Sequence, residues 1–219
     1  MKKLITAIFG FALISFSADA VERKIGFTAA LTDFESSGTE TMKSNSDKTS
    51  TDISETVIVP SLFLEISTDA GLGIGIDYVP VDAEIGNKSK TKVDIDTDDA
   101  ADNGGTNKAS ADVSGHSTIY LKIPVKAAFL KVGYVEADIE TTENLATGTT
   151  YGNKSVNGTM VSLGFDRDLE NGTFIRAEVA YTDYDDITLT GSADTDGVSN
   201  KVDADVDATA LRISVGKAF

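Results

Sequence analysis

The 219-residue chain has no cysteine, no tryptophan and a single histidine, and its 19 basic residues are outnumbered by 35 acidic ones. Without cysteine there can be no disulfide framework, no thiolate metal site and no cysteine nucleophile. One imidazole cannot build a His-rich metal site and leaves His116 as the sole candidate base of that kind. The net charge of −16 argues against nucleic acid as a partner, because phosphate recognition needs clustered Lys and Arg. The chain also lacks an apolar run long enough for a spanning helix, which needs about 20 residues. Its longest, Leu4–Phe16, has 13. Hydrophobic residues still make up 41% of the chain, far more than in a disordered chain, so the chain folds.

Residues 1–20 read as an address. Lys2 and Lys3 precede the apolar run, and Ala18-Asp19-Ala20 has the small-x-small form of a cleavage site. That is the pattern of a bacterial secretory signal peptide, with a mature chain starting near Val21. A cysteine-free secreted chain must be stabilised by packing or by a sheet closed on itself.

After residue 20 the hydrophobic period is two, not 3.6. Eight alternating segments follow one another, around Ile25–Thr32, Ile58–Ile66, Leu72–Tyr78, Ile119–Val125, Leu130–Tyr134, Val161–Asp166, Ile175–Tyr181 and Leu211–Phe219. Connections after the second, fourth and sixth are short turns. Those after the first, third, fifth and seventh are long and polar, at about residues 36–54, 87–116, 141–157 and 190–207. Short turns at one end and long loops at the other predict an all-β fold, an eight-stranded antiparallel up-and-down transmembrane β-barrel spanning residues 21–219. Tyr78, Tyr134 and Tyr181 recur at equivalent places in the third, fifth and seventh segments, each ending an apolar stripe before acidic residues. Tyrosine suits a membrane–water boundary, so the three predict an outer aromatic girdle.

The alternate face is rich in glycine and carries balanced charge: Glu65, Asp77, Asp166 and Glu178 against Lys122, Lys131, Arg176 and Arg212. Small residues and paired charges suit a narrow interior, where an unpaired charge costs several kcal/mol. These eight residues are therefore expected to form a lumen ion-pair network. A turn near Asn171 would set Asp166 opposite Arg176. A turn at Lys126-Ala127 would set Lys122 opposite Lys131, with Asp77 and Asp166 as their counter-charges. Phe63, Tyr120 and Phe129 also face inward on this phase, which predicts a closed or poorly conducting barrel. No apolar lumen suited to apolar solutes is expected.

With the eight segments and the terminal Phe219 in view, the chain resembles small bacterial outer-membrane barrels of the OmpA transmembrane-domain type, without a periplasmic domain. The resemblance implies that Leu211, Ile213, Val215 and Phe219 are the signal read by the barrel-assembly machinery, from which Lys217 departs. It implies residence in the outer membrane of a Gram-negative bacterium, with lipid and lipopolysaccharide as neighbours, and a monomer. The fold hosts adhesins, structural proteins, small pores and a few lipid enzymes, so the resemblance does not choose an activity.

His116-Ser117 invites a lipid-hydrolase reading, but no third group accompanies it and a solvated loop histidine is expected instead. The Asp94–Asp99 and Asp203–Asp207 runs fail the glycine and glutamate positions of a calcium loop, leaving at most loose divalent-cation binding. No catalytic residue, metal site or cofactor is expected. The expected role is structural or cell-surface interaction, by envelope integrity, adhesion or contact with an extracellular ligand at the acidic loops. A small cation-preferring channel is the alternative. The charge supports this topology: residues 33–55, 87–116, 136–157 and 183–207 carry −4, −2, −3 and −7, the whole of the −16.

Overall fold

The computed structural model describes residues 21–41, 48–92, 105–144, 150–192 and 199–219. The segment 1–20, expected to be a signal peptide, and the Asp94–Asp99 run lie outside the described residues. The strands are β1 (Val21–Thr41), β2 (Lys48–Thr68), β3 (Gly73–Tyr78), β4 (Ala83–Lys92), β5 (Gly105–Val125), β6 (Ala128–Asn144), β7 (Lys154–Asp168), β8 (Thr173–Tyr184), β9 (Ile187–Thr190) and β10 (Lys201–Ala218). Among the described residues, β1, β2, β3, β5, β6, β7, β8 and β10 pair antiparallel in turn, and β10 returns to β1 to close a ring of eight. β4 and β9 continue the lines of β3 and β8 and pair with β5 and β10. Closure removes the free edges that would otherwise leave backbone groups unpaired in lipid.

The two phases of the alternation separate cleanly. Phe27, Leu31, Leu62, Ile74, Leu121, Leu163, Val179 and Ile213 are exposed on the outer wall, while their neighbours Thr28, Phe63, Tyr120, Ser162 and Ser214 are buried inside. An apolar exterior on a closed barrel is soluble in hydrocarbon and not in water. The periplasmic-side turns are tight and use left-handed residues where the chain reverses: Gly71 (φ 82°), Lys126 (φ 57°), and Asn171 and Gly172 (φ 63° and 70°).

Among the described residues, the four ranges read as long loops are largely strand. β1 and β2 stay paired out to Thr41 and Lys48, β4 and β5 run through 83–92 and 105–116, and β6, β7 and β10 extend to Asn144, Lys154 and Lys201. In these extensions the outward positions are polar and only a few inward ones, such as Val113, Val156 and Val206, are large and apolar, so hydrophobic alternation fades and does not mark them. Their backbone ladder persists because Thr- and Val-containing segments tolerate the extended conformation and hydrogen bonds continue from the strands below.

Candidate functional site

The barrel interior has two storeys, set by which inward positions are charged. The periplasmic half is filled by ion pairs. Arg176, fully buried on β8, donates to both oxygens of Glu65 on β2 at 2.9 Å each, and to Asp166 on β7 at 2.6 and 3.0 Å. Asp166 faces Arg176 across the β7–β8 ladder. Lys122 bonds Glu65 at 2.7 Å and Asp166 at 3.0 Å, while Lys131 lies 2.7 Å from Glu178. Lys122 and Lys131 are opposite each other in register, yet each takes its own carboxylate. Asp77 serves neither of them: it pairs with Arg212, correcting the expected counter-charge. Asp77 sits one inward step above Gly75 on β3, too far up the wall to reach the lysines, which Glu65 and Glu178 satisfy instead.

Aromatic rings fill the space between the charges. The Arg176 guanidinium lies 5.0 Å from the Phe63 ring centre and 4.9 Å from that of Phe129, and the Lys131 ammonium lies 4.3 Å from that of Tyr120. Tyr120 also donates its hydroxyl to Glu65 at 3.0 Å. Two glycines make room for this layer. A Cβ on Gly75 would collide with the Tyr120 ring, and one on Gly26 would fall 2.5 Å from Phe63. The result is a plug of ion pairs and aromatic rings across this half of the interior.

Lys24 completes the plug and has no counterpart in the expected set. It is buried, 3.3 Å from both Asp166 and Glu22. Its signal was its phase: two residues before Gly26, it stands on the inward face of β1.

Above the plug the inward positions turn apolar. Ala30, Val135, Ala137, Val156, Met160, Ala180, Ala208 and Ala210 are buried together with Phe34, Val113 and Tyr184. This overturns the expectation that no apolar lumen exists. The residues are legible in the sequence, since the inward phase of each segment simply continues past its last charge. A cavity of about 50 Å³ lies at the bottom of this chamber, among Ala30, Val59, Val79, Ala180, Ala210 and Arg212.

His116 also lines that cavity. It is not a solvated loop residue. Gly115 adopts φ 59° and the β5–β6 register slips between Ser114 and Ser117, a bulge that turns the imidazole inward. Its Nε2 lies 3.1 Å from the Tyr184 hydroxyl. Ser117 follows on the outward phase and pairs with Tyr78, so the two are not a nucleophile and its base.

Among the described residues the wall's ladder lapses between β2 and β4 and between β7 and β9, and the first of these seams has a cause in the sequence. β2 and β3 are paired from Ser67–Gly73 up to Leu62–Tyr78 and no further. The Thr68 N–H bonds the Leu72 carbonyl at 2.9 Å, which fixes the phase: even-numbered β2 residues carry the hydrogen bonds to β3. The next such pair in this register is Pro60 with Pro80, and neither has an N–H to give. The chain beyond stays tied to β5, through Val79 N–H to the His116 carbonyl at 2.9 Å and then the β4–β5 ladder. Among the described residues no ladder joins β2 to β4. Just below the seam, on the outer wall, Ile25, Leu62, Leu64, Ile76 and Tyr78 line an apolar groove of about 500 Å³.

Tyr78, Tyr134 and Tyr181 all project outward. On the last strand Leu211, Ile213, Val215 and Phe219 are likewise exposed on the outer wall. Lys217 bonds the Asn171 carbonyl, tying β10 to the turn between β7 and β8. Among the described residues no group of three or more His, Asp or Glu side chains is placed to hold a metal ion.

Comparison with solved structures matches this architecture over nearly the whole chain. The outer-membrane protein OprG of Pseudomonas aeruginosa aligns with a TM-score of 0.65 at 17% identity, over 91% of this chain and 96% of that one. The outer-membrane protein AlkL, solved in lipid bilayers, aligns at 0.59 and 12% identity, over 94% and 93%. The chain is an outer-membrane β-barrel. The outer-membrane protease OmpT of Escherichia coli also aligns, at 0.54 and 9% identity over 94% and 99% of the two chains. At such identities the likeness carries the fold and no activity. No protein-family model and no curated protein sequence matches the chain.

Proposed function

We propose that this barrel is a passive conduit for small apolar solutes, which enter the chamber from outside and leave sideways into the membrane through the β2–β3 seam. The observation that carries the reading is the stacking of an apolar chamber on a charged plug, with the wall unzipped at the chamber's level. An apolar solute is at home among Ala30, Val135, Ala180 and Ala210. It meets a barrier at the ion-pair layers, where it would have to displace buried charge. The seam offers the alternative route: its strands lack the ladder bonds that join β1 to β2 and β5 to β6 at the same height, and an apolar groove facing lipid lies just below it. No cofactor, metal or catalytic group enters this function, and the barrel acts as a monomer.

The test is uptake of octane by intact Gram-negative cells expressing the barrel. Pro60→Val with Pro80→Val returns both N–H donors and should zip the seam, slowing uptake severalfold. Ala180→Glu puts a carboxylate in the chamber and should do the same. Uptake that is equal with both variants, or equal to that of cells without the barrel, refutes the reading.

A second reading rests on the rim. Asp183 faces Asp207 across the β8–β10 ladder, and Asp207 faces Glu35 across β1–β10, so like charges are held together at the extracellular end. That surface favours a cationic partner over an anionic one. Cation conduction along the axis is disfavoured by the plug.

A further inference from the structure

At the bottom of the chamber two polar atoms are left over. His116 Nδ1 and Arg212 Nε are buried without a hydrogen-bond partner, and both residues line the same cavity. The other polar ends of both residues are engaged. Arg212 is committed to Asp77 through Nη2, and Glu178 is 4.0 Å from its Nε, beyond hydrogen-bond reach. His116 Nε2 is engaged by Tyr184. A buried donor or acceptor without a partner is costly, so the pair calls for an occupant that satisfies both. A cavity of about 50 Å³ is large enough for roughly three to five water-sized groups, and its walls are mostly aliphatic. Thr32, Ser61 and Thr182 add hydroxyls to a lining dominated by alanine and valine side chains.

We infer that the chamber floor is a binding site for the hydroxyl end of a neutral aliphatic alcohol, its oxygen between His116 Nδ1 and Arg212 Nε and its chain among Ala30, Val59, Ala180 and Ala210. The inference rests on the conduit reading and names a solute class for it. A hydroxyl is the group that fits. It accepts from the Arg212 Nε–H and, with Tyr184 fixing the imidazole through Nε2, either donates to His116 Nδ1 or accepts from it. Charge excludes the alternatives. Asp77 and Glu178 already flank Arg212, so a carboxylate head would bring a third anion to one guanidinium, and an ammonium head would face that guanidinium directly. An alkane would leave both atoms unsatisfied.

The chain's single histidine makes the test direct, because its imidazole gives one set of ring signals. The full barrel, isotope-labelled and held in lipid nanodiscs, is titrated with 1-octanol, octane and octanoate while the imidazole nitrogens are followed by NMR. The expected result is a saturable shift of the Nδ1 signal with 1-octanol, none with octane, and weaker binding of octanoate. His116→Leu should weaken 1-octanol binding about tenfold, the worth of one buried hydrogen bond. If that variant does not fold, judged by heat-dependent gel mobility, Arg212→Lys keeps the charge beside Asp77, removes the Nε donor, and should weaken binding similarly. Equal shifts with octane and octanol, a shift that never saturates, or unchanged affinity in the variants would overturn the site and leave water as its occupant. The outcome is separable from the conduit test: a saturable octanol site in a barrel whose seam variants do not alter octane uptake retains the site and removes the conduit.

Discussion

Replacing Arg176 by methionine should be the most damaging single change in the interior. The guanidinium donates four hydrogen bonds, two to Glu65 and two to Asp166, from a position with no solvent exposure. Methionine fills much of the volume and supplies none of the charge. Glu65 and Asp166 would then share Lys122, with Lys24 beside Asp166, so at least one carboxylate would be undercompensated. Removing one partner of a buried ion pair costs about 3–5 kcal/mol. Loss of the stacking on Phe63 and Phe129 adds about 1 kcal/mol. The assay is urea unfolding of the barrel in detergent micelles, followed by heat-dependent gel mobility. Adding Glu65→Gln to Arg176→Met should recover a large part of the loss, because it removes the stranded charge. In planar bilayers, Arg176→Met should also raise conductance by loosening the plug. A loss below about 1 kcal/mol, or a double variant no better than the single one, would refute the claim that Arg176 is the centre of the network.

Two further predictions test the plug and the rim. Gly75→Val places side-chain atoms where the Tyr120 ring lies and should abolish refolding, measured as loss of the fast-migrating species in unheated gels, whereas Gly152→Val, with open space around it, should refold normally. At the rim, the Asp205 carboxyl is raised above its ordinary value by a hydrogen bond and repulsion from Asp186, and Asp112 is raised by burial and by Glu84, Asp82 and Glu140. A raised acid binds its proton more tightly in the folded state, so stability falls as pH climbs from the unfolded value of 3.8 through the folded one. Acidifying from neutrality should therefore increase amide-exchange protection around residues 201–205, and Asp186→Asn should give the same protection at neutral pH; protection that drops on acidification would contradict the assignment.

The membrane-spanning part was legible because a strand in lipid obeys a strict rule: outward residues are apolar, and a period of two follows. Glu65, Lys122, Asp166, Arg176 and Glu178 could be placed on one face by counting alone, and the turn at Asn171 fixed Asp166 against Arg176. Lys24 escaped because it stands at the first strand's edge, where alternation has not yet declared itself. The extracellular strands escaped for a related reason. There water lies outside the wall, so the outer face is as polar as a loop, and only the backbone ladder distinguishes the two.

Amino-acid order by itself determined the class of fold and the inward phase of its charges. These depend on residues near one another along a strand. Tertiary structure decided what pairs across the ring: Asp77 with Arg212 over 135 positions, Glu65 with Arg176 over 111, and β10 against β1. It also decided that a bulge at Gly115 turns the one histidine into the chamber, and that the β2–β3 ladder stops at Leu62 and Tyr78, one hydrogen-bonded step short of Pro60 and Pro80. Such relations depend on the register of strands distant in sequence, which is fixed only when closure of the ring makes every strand's position depend on all the others.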